Sequence, residues 1–337
     1  MPVIGALPAA MAAAEEDRVL LCPKACGAEA AWVGATQVLA ARSLDEVLRH
    51  YTGQVPITPA EAGEVVADPQ RRDLREVKGQ ERAKRALEIA AAGRHHMLMV
   101  GTPGSGKSML AQRMGSLMPA LPFEEALELA AIKSLKGESH CLSMQRPYRN
   151  PHPNTTLPAL IGGGNPPAPG EITLAHQGIL FTDEVLEFDR RTLESLREPL
   201  ETGRVNISRS GHQASFPARF LWICAHNPCP CGWLGHAVKP CRCTPEQIRR
   251  YQGKLSGPLA DRLDISVEIN PVDHQMLMAA QPDTSSQPES SASMRLKVEK
   301  AREIQLNRQG CMNGELPAGQ IQRYCKPAVD AEKLLLS

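Results

Sequence analysis

The sequence predicts an α/β fold: a central parallel sheet flanked by helices, followed by a partial helical region. Three observations predict it. From residue 73 onward strand and helix signals alternate, with helical patterning at 81–92 and 109–118 and turn-bounded apolar runs at 97–100, 178–182, 220–225 and 265–269. A complete G-x-x-x-x-G-K-S run, Gly101, Thr102, Pro103, Gly104, Ser105, Gly106, Lys107 and Ser108, joins the first of those strands to the helix beginning near Met109. The strand 178–182 ends in two acids, Asp183 and Glu184.

The elements follow in order. Residues 1–55 mix an Ala-rich opening, a Cys22/Cys26 pair and an amphipathic helix at 43–51, too little to close a core of their own. Residues 56–72 are Pro, Gly and acid rich and read as a linker; 73–275 carry the alternating strands and helices. Within that stretch 146–170 is a Pro/Gly-rich insertion, and 203–216, with Val205 and Ile207 alternating against polar neighbours, reads as a β-hairpin. Residues 276–293, rich in Ser, Pro and Gln, read as a flexible linker, and 294–337 as helical.

Bulk properties exclude more than they assign. At 337 residues the chain can bury a large core, and 38 basic against 37 acidic residues advertise no polyanion partner, so contact with nucleic acid would need local patches. No apolar stretch reaches the roughly 20 residues of a membrane span, and no signal peptide is apparent, so the expected location is cytoplasmic. Aromatic residues are only 4 %, too few for an extended base-stacking platform. Ten cysteines beside a phosphate motif point to burial or metal binding rather than disulfides.

The phosphate loop carries the chemistry. Glycines let backbone N–H groups close around phosphates, Lys107 brings a cation to the β- and γ-phosphates, and Ser108 is a magnesium ligand. The loop opens a helix whose dipole favours anions. Asp183 is expected to hold Mg²⁺ and Glu184 to polarise an attacking water. The predicted cofactors are therefore ATP and Mg²⁺. Asn227 ends the 220–225 strand, where asparagine is ordinarily a turn residue. Cys229, Cys231, Cys241 and Cys243 put four thiols in one short loop; C-x-C pairs are an unusual zinc spacing, which leaves Zn²⁺ and reduced packing cysteines both open. Cys22 and Cys26 are expected to be unligated.

Val77-Lys78-Gly79-Gln80, the phosphate loop, Arg146-Pro147-Tyr148-Arg149-Asn150-Pro151-His152, Gly162-Gly163-Gly164, Pro169-Gly170-Glu171, Phe216-Pro217-Ala218-Arg219-Phe220, Asn227-Pro228-Cys229-Pro230-Cys231-Gly232 and Gly257-Pro258-Leu259-Ala260-Asp261-Arg262-Leu263-Asp264 occur in this order. Together they resemble the magnesium-chelatase-like AAA+ ATPases of the ComM/YifB type, over about 73–271. The resemblance implies an AAA+ fold, with 1–55 as the tail of a Lon-protease-like domain and 294–337 as an incomplete helical lid ending before the family's sensor 2 arginine. It implies Gln80 near the adenine, Lys107 and Ser108 on phosphate and Mg²⁺, Asp183 and Glu184 as the Walker B pair, and Asn227 as sensor 1. Arg262 matches the arginine finger that reaches a neighbour's nucleotide, in which case the motor is a homo-hexamer; a surface ion pair is the other reading. The insertion and the hairpin then face the ring channel, where Arg146, Arg149, Arg204 and Arg209 are candidates either for DNA backbone contact or for plain solvation. Departures from the family pattern are Thr182 for an apolar residue, His226 for methionine and Pro153 for histidine. The implied function is ATP hydrolysis by a motor acting on single-stranded or branched DNA. A catalytically weak, shortened chain and a motor subunit of a metal chelatase are the alternatives.

Overall fold

The computed structural model describes residues 2–66, 72–138, 141–209, 212–236, 238–272 and 288–336. The N-terminal part pairs β1 (Leu20–Pro23) with β2 (Val38–Ala41) in parallel beneath α1 (Ala6–Glu15). The expected amphipathic helix is α2 (Leu44–Tyr51), and the Ser43 side chain caps it. This part is not separate from the rest: Leu7 and Trp32 share an apolar cluster with Leu121, Leu129 and Leu142. The expected linker 56–72 is likewise partly structured. Ile57 is buried against Leu39, and β3 (Val65–Val66) pairs with a later strand; residues 67–71 lie outside the described residues.

The central unit then unfolds in chain order: α3 (Glu81–Gly93), β4 (Met97–Gly101), α4 (Lys107–Leu117), α5 (Phe123–Ser134), β5 (Leu142–Ser143, the partner of β3), β6 (Tyr148–Arg149) and β7 (Ile179–Thr182). The hairpin β8 (Arg204–Arg209) and β9 (His212–Pro217) follows, then β10 (Leu221–His226), α6 (Pro245–Gln252) and β11 (Ile265–Ile269). Five of these strands form one parallel sheet in the order β11-β4-β10-β7-β6. The three central strands β4, β10 and β7 are covered on both faces, which is why they are continuous apolar runs. Ile179, Phe181, Leu221, Ile223 and Ala225 meet α3 and α4 on one face, while Leu180, Trp222 and Cys224 pack on the other against Leu186, Leu196 and the hairpin.

The edge strand β6 lies inside the segment expected to be an insertion, so that expectation is corrected for its first residues. Two residues are too short for a periodic signal, and Gly178 makes the pairing possible: a Cβ there would sit 2.2 Å from the Pro147 carbonyl oxygen. The helix α7 (Ser291–Gln309) takes in the last three residues of the second expected linker. Ser290 caps it, Ser291 is buried, and 273–287 lie outside the described residues. The Ser291 hydroxyl accepts from the Leu74 N–H (2.7 Å) and from Ser116 Oγ (2.9 Å), and its N–H donates to Asp73 (2.9 Å). Further along, Arg302 and Gln305 donate to the Ala91 and Ala92 carbonyls at the end of α3. Among the described residues no helix is long and apolar enough to cross a membrane.

Candidate nucleotide-binding site

Parallel strands align their C-terminal ends, and in this sheet three adjacent ends carry the predicted motifs. Strand β4 delivers the phosphate loop, β7 the two acids, and β10, which lies between them, Asn227. Gly104 and Gly106 sit at φ 77° and 97°, in the left-handed region that glycine enters without strain. A Cβ on Gly101 would come within 2.5 Å of the Ile269 carbonyl and 2.7 Å of Ser105 Oγ. The first turn of α4 carries no acidic residue and no side-chain cap, leaving its N–H groups directed at the loop.

Lys107 is buried, and its ammonium donates to Gly101 O (2.7 Å), Thr102 O (3.1 Å) and Asn227 Oδ1 (3.1 Å). Burial pulls its pKa down, and the nearby Asp183 and Glu184 charges act against that. Ser108 Oγ donates to Asp183 Oδ2 at 2.5 Å, while Asp183 Oδ1 accepts the Glu184 N–H at 3.0 Å. Hydroxyl and carboxylate oxygens side by side are the hard donors that Mg²⁺ takes. The Thr102 and Ser105 hydroxyls are buried with no hydrogen-bond partner among the described residues, so the loop also holds spare polar capacity for a phosphate. The pocket therefore fits both magnesium and nucleotide.

Glu184 is exposed and sits at φ 50°, ψ 45°, a backbone conformation that costs a non-glycine residue about 1 kcal/mol or more. Gln80, also in the left-handed region at φ 62°, donates through Nε2 to Asn270 O (2.5 Å) and Ser105 O (3.3 Å) and ties β11 to the phosphate loop. Met109 projects half-exposed from the first turn of α4.

Two departures from the family pattern have local reasons. Thr182 is fully buried and accepts from the Trp222 indole N–H at 3.0 Å across the strands. His226 is buried, with its pKa lowered by burial, and its Nδ1 lies 2.6 Å from the Asn227 carbonyl, bracing the backbone that presents Asn227.

Arg262 is not part of this constellation. Ile265 pairs with Met97 and Ile269 with Gly101, so Arg262, three residues before Ile265, lies at the opposite end of the sheet. There it pairs with Glu201 at 2.6 Å and lines a cleft of about 1170 Å³ with Arg94, Arg146, Arg219 and Arg302.

The candidate DNA arginines are corrected in part. Arg146 is buried and donates to Pro119 O (2.8 Å) and Gln177 O (2.7 Å), a structural role. Arg149 makes a two-pronged ion pair with Glu171 at 2.6 and 2.7 Å. Arg204 is exposed and bonds Ser215 Oγ at 2.9 Å, and the Arg209 side chain lies outside the described residues. The hairpin itself is anchored, since Val205, Ile207 and Phe216 bury into the core.

Sequence reasoning passed over Tyr148. Its ring packs 6.2 Å from Phe181, its hydroxyl is buried without a hydrogen-bond partner among the described residues, and burial together with the Asp183 charge raises its pKa. Its sequence surroundings, an arginine on either side within Arg146-Pro147-Tyr148-Arg149, carry no signal for this; the pairing of Tyr148 with Ile179 brings it beside the strand that bears the acids. The Cys229, Cys231, Cys241 and Cys243 sulfurs all lie within 4.8 Å of one another, whereas Cys22 and Cys26 are buried in the N-terminal cluster and join no such group among the described residues.

Residues 73–277 match the family model described as magnesium chelatase, subunit ChlI, and 288–337 the model of that subunit's C-terminal part. The chain belongs to this family. It is 42 % identical to a protein named YifB from Salmonella typhimurium and 41 % identical to the competence protein ComM of Haemophilus influenzae, in each case over 96 % of this chain. A magnesium-chelatase 38 kDa subunit from Cereibacter sphaeroides is 25 % identical over 57 % of the chain. The chain spans 63 % of the YifB length and 64 % of the ComM length. The five-stranded parallel sheet with flanking helices and a C-terminal helical region agrees with the predicted AAA+ fold.

Proposed function

We propose that the chain binds ATP with Mg²⁺ and hydrolyses it as one subunit of a homo-hexameric ring that works on single-stranded or branched DNA. The observation that carries the nucleotide reading is the convergence of three strand ends: Ser108 bonded to Asp183, and Lys107 bonded to Asn227. In this reading Lys107 and the α4 N-terminus bind the triphosphate, while Ser108 and Asp183 hold the magnesium, which when bound neutralises phosphate charge. Glu184 accepts a proton from water as the water oxygen bonds the γ-phosphorus; the bond to the β–γ bridging oxygen breaks, giving ADP and phosphate. Asn227 orients the water or the γ-phosphate. Arg262, remote from its own loop, is supplied to the neighbouring subunit, which makes assembly a condition of turnover; such a group is worth about 10³ to 10⁵ in rate.

The DNA part rests on the ComM/YifB resemblance and the similarity to a protein named for competence. ATP turnover of the purified chain, with and without single-stranded DNA, tests the whole reading. Lys107→Ala is expected to abolish binding and Glu184→Gln to retain binding while lowering turnover at least a hundredfold. Turnover unchanged in Glu184→Gln overturns the assignment of the base, and turnover indifferent to DNA removes the DNA part.

A further inference from the structure

The turn after Asn227 carries more than a sensor residue. Cys229 is fully buried, Cys231, Cys241 and Cys243 are half-buried, and all four are free thiols. Their Sγ atoms converge: 3.4 Å between Cys229 and Cys231, and 3.6 Å from Cys241 to each of these. Four thiolates around one Zn²⁺ at about 2.3 Å define a tetrahedron with edges of about 3.8 Å; the three edges among Cys229, Cys231 and Cys241 are slightly shorter than this, and all four sulfurs lie within 4.8 Å of one another. Backbone N–H groups already point at the sulfurs, Leu234 N to Cys229 Sγ and Cys243 N to Cys241 Sγ, each at 3.4 Å. Such donors spread thiolate charge at structural zinc sites. Gly232 and Gly235, at φ 81° and 78°, supply the tight turns that bring the first pair back towards the second.

The two pairs lie at opposite ends of the segment that joins β10 to α6. Cys229 and Cys231 leave the end of β10, whereas Cys243 directly precedes Thr244, the N-cap of α6, whose side chain forms a capping box with Gln247. That helix reaches back: Gln252 Nε2 donates to Pro228 O at 3.0 Å. On its other side the turn lies against the phosphate loop, where a Cβ on Gly232 would approach Pro103 Cδ to 2.7 Å and Asn227 Cγ to 3.8 Å.

From these positions we infer that Cys229, Cys231, Cys241 and Cys243 bind one structural zinc ion, which staples the end of β10 to α6 and thereby holds the Asn227 turn against Pro103 of the phosphate loop. The unusual C-x-C spacing is accommodated because the second pair returns from the α6 end of the connecting segment to face the first. The metal is independent of the proposed activity; its effect on the phosphate loop rests on the nucleotide reading.

The test uses the full purified chain, stripped of loosely held metal. Elemental analysis is expected to give one zinc per chain, falling close to none in Cys231→Ser and in Cys243→Ser. Because a serine variant can fail to fold, cobalt(II) exchange into the unaltered chain gives a second readout, the visible bands of a tetrahedral tetrathiolate. Zinc-free protein with four titrating thiols, a disulfide, or iron in place of zinc overturns the site. After chelation and return to excess Mg²⁺, Mg-ATP affinity is expected to fall about tenfold and to recover on adding zinc. Unchanged affinity overturns the staple while leaving the ion, and an absence of ATP binding even in the zinc-loaded chain overturns the nucleotide reading instead.

Discussion

At the scale of single residues, the site depends on polar atoms whose partners arrive from other strands. Thr182 sits one position before Asp183, and its hydroxyl is the acceptor for the buried Trp222 indole N–H. Thr182→Val keeps the shape and orphans that donor, which is expected to cost about 1–3 kcal/mol in urea unfolding. In the double variant with Trp222→Phe the penalty is expected to be less than the sum of the singles, since no indole N–H remains to be stranded. The motif residues themselves were legible in the sequence, because a phosphate loop is a local spelling: Gly101 to Ser108 and the Asp183-Glu184 pair declare themselves within a few positions. Contacts between strands have no such spelling. Nothing near Thr182 in the chain announces Trp222, and nothing near Arg146 announces that the Pro119 and Gln177 carbonyls will hold it inside.

At the scale of elements, long periodic segments were read well and short or polar ones were not. The helix α3 and the strands β4, β7, β10 and β11 lie where the patterning puts them, because each packs several apolar residues against the core. The strand β6 offers two residues, and its place in the sheet follows from pairing with β7 rather than from anything of its own. The first turn of α7, Ser-Ala-Ser, reads as linker in the sequence, yet Ser291 is among the better-connected side chains of the core. Ser291→Ala leaves the Leu74 N–H without its acceptor and is expected to cost about 1–3 kcal/mol, read as a lower urea midpoint with an unchanged m-value. A midpoint equal to that of the unaltered chain would mean that the anchoring of α7 lies elsewhere.

At the scale of the whole molecule, the two ends of the sheet hold different parts of the proposed chemistry. Subunits of Arg262→Ala and Lys107→Ala, each inactive alone, are expected to regain turnover when mixed, up to about a quarter of the unaltered level, if one subunit's arginine completes its neighbour's site. No recovery in an assembled mixture would count against completion in trans. The same remote end contains His96, whose Nδ1 accepts the Trp222 N–H at 3.0 Å. Burial, acting against the Asp264 carboxylate, lowers its pKa from 6.5 to about 4. A folded pKa below the unfolded one means that the stability held above pH 6.5 is lost as pH falls towards 4, at up to about 1.4 kcal/mol per pH unit. Unfolding free energies measured between those pH values are expected to slope less in His96→Gln. The double anchorage of α7 has a mechanical meaning. One end is bonded to residues 73, 74 and 116, its middle to the last carbonyls of α3, and Gln80, directly before α3, grips the phosphate loop at Ser105 through its amide. Helix, helix and loop are thus joined by one continuous series of hydrogen bonds, which ties the C-terminal helical region to the proposed phosphate site.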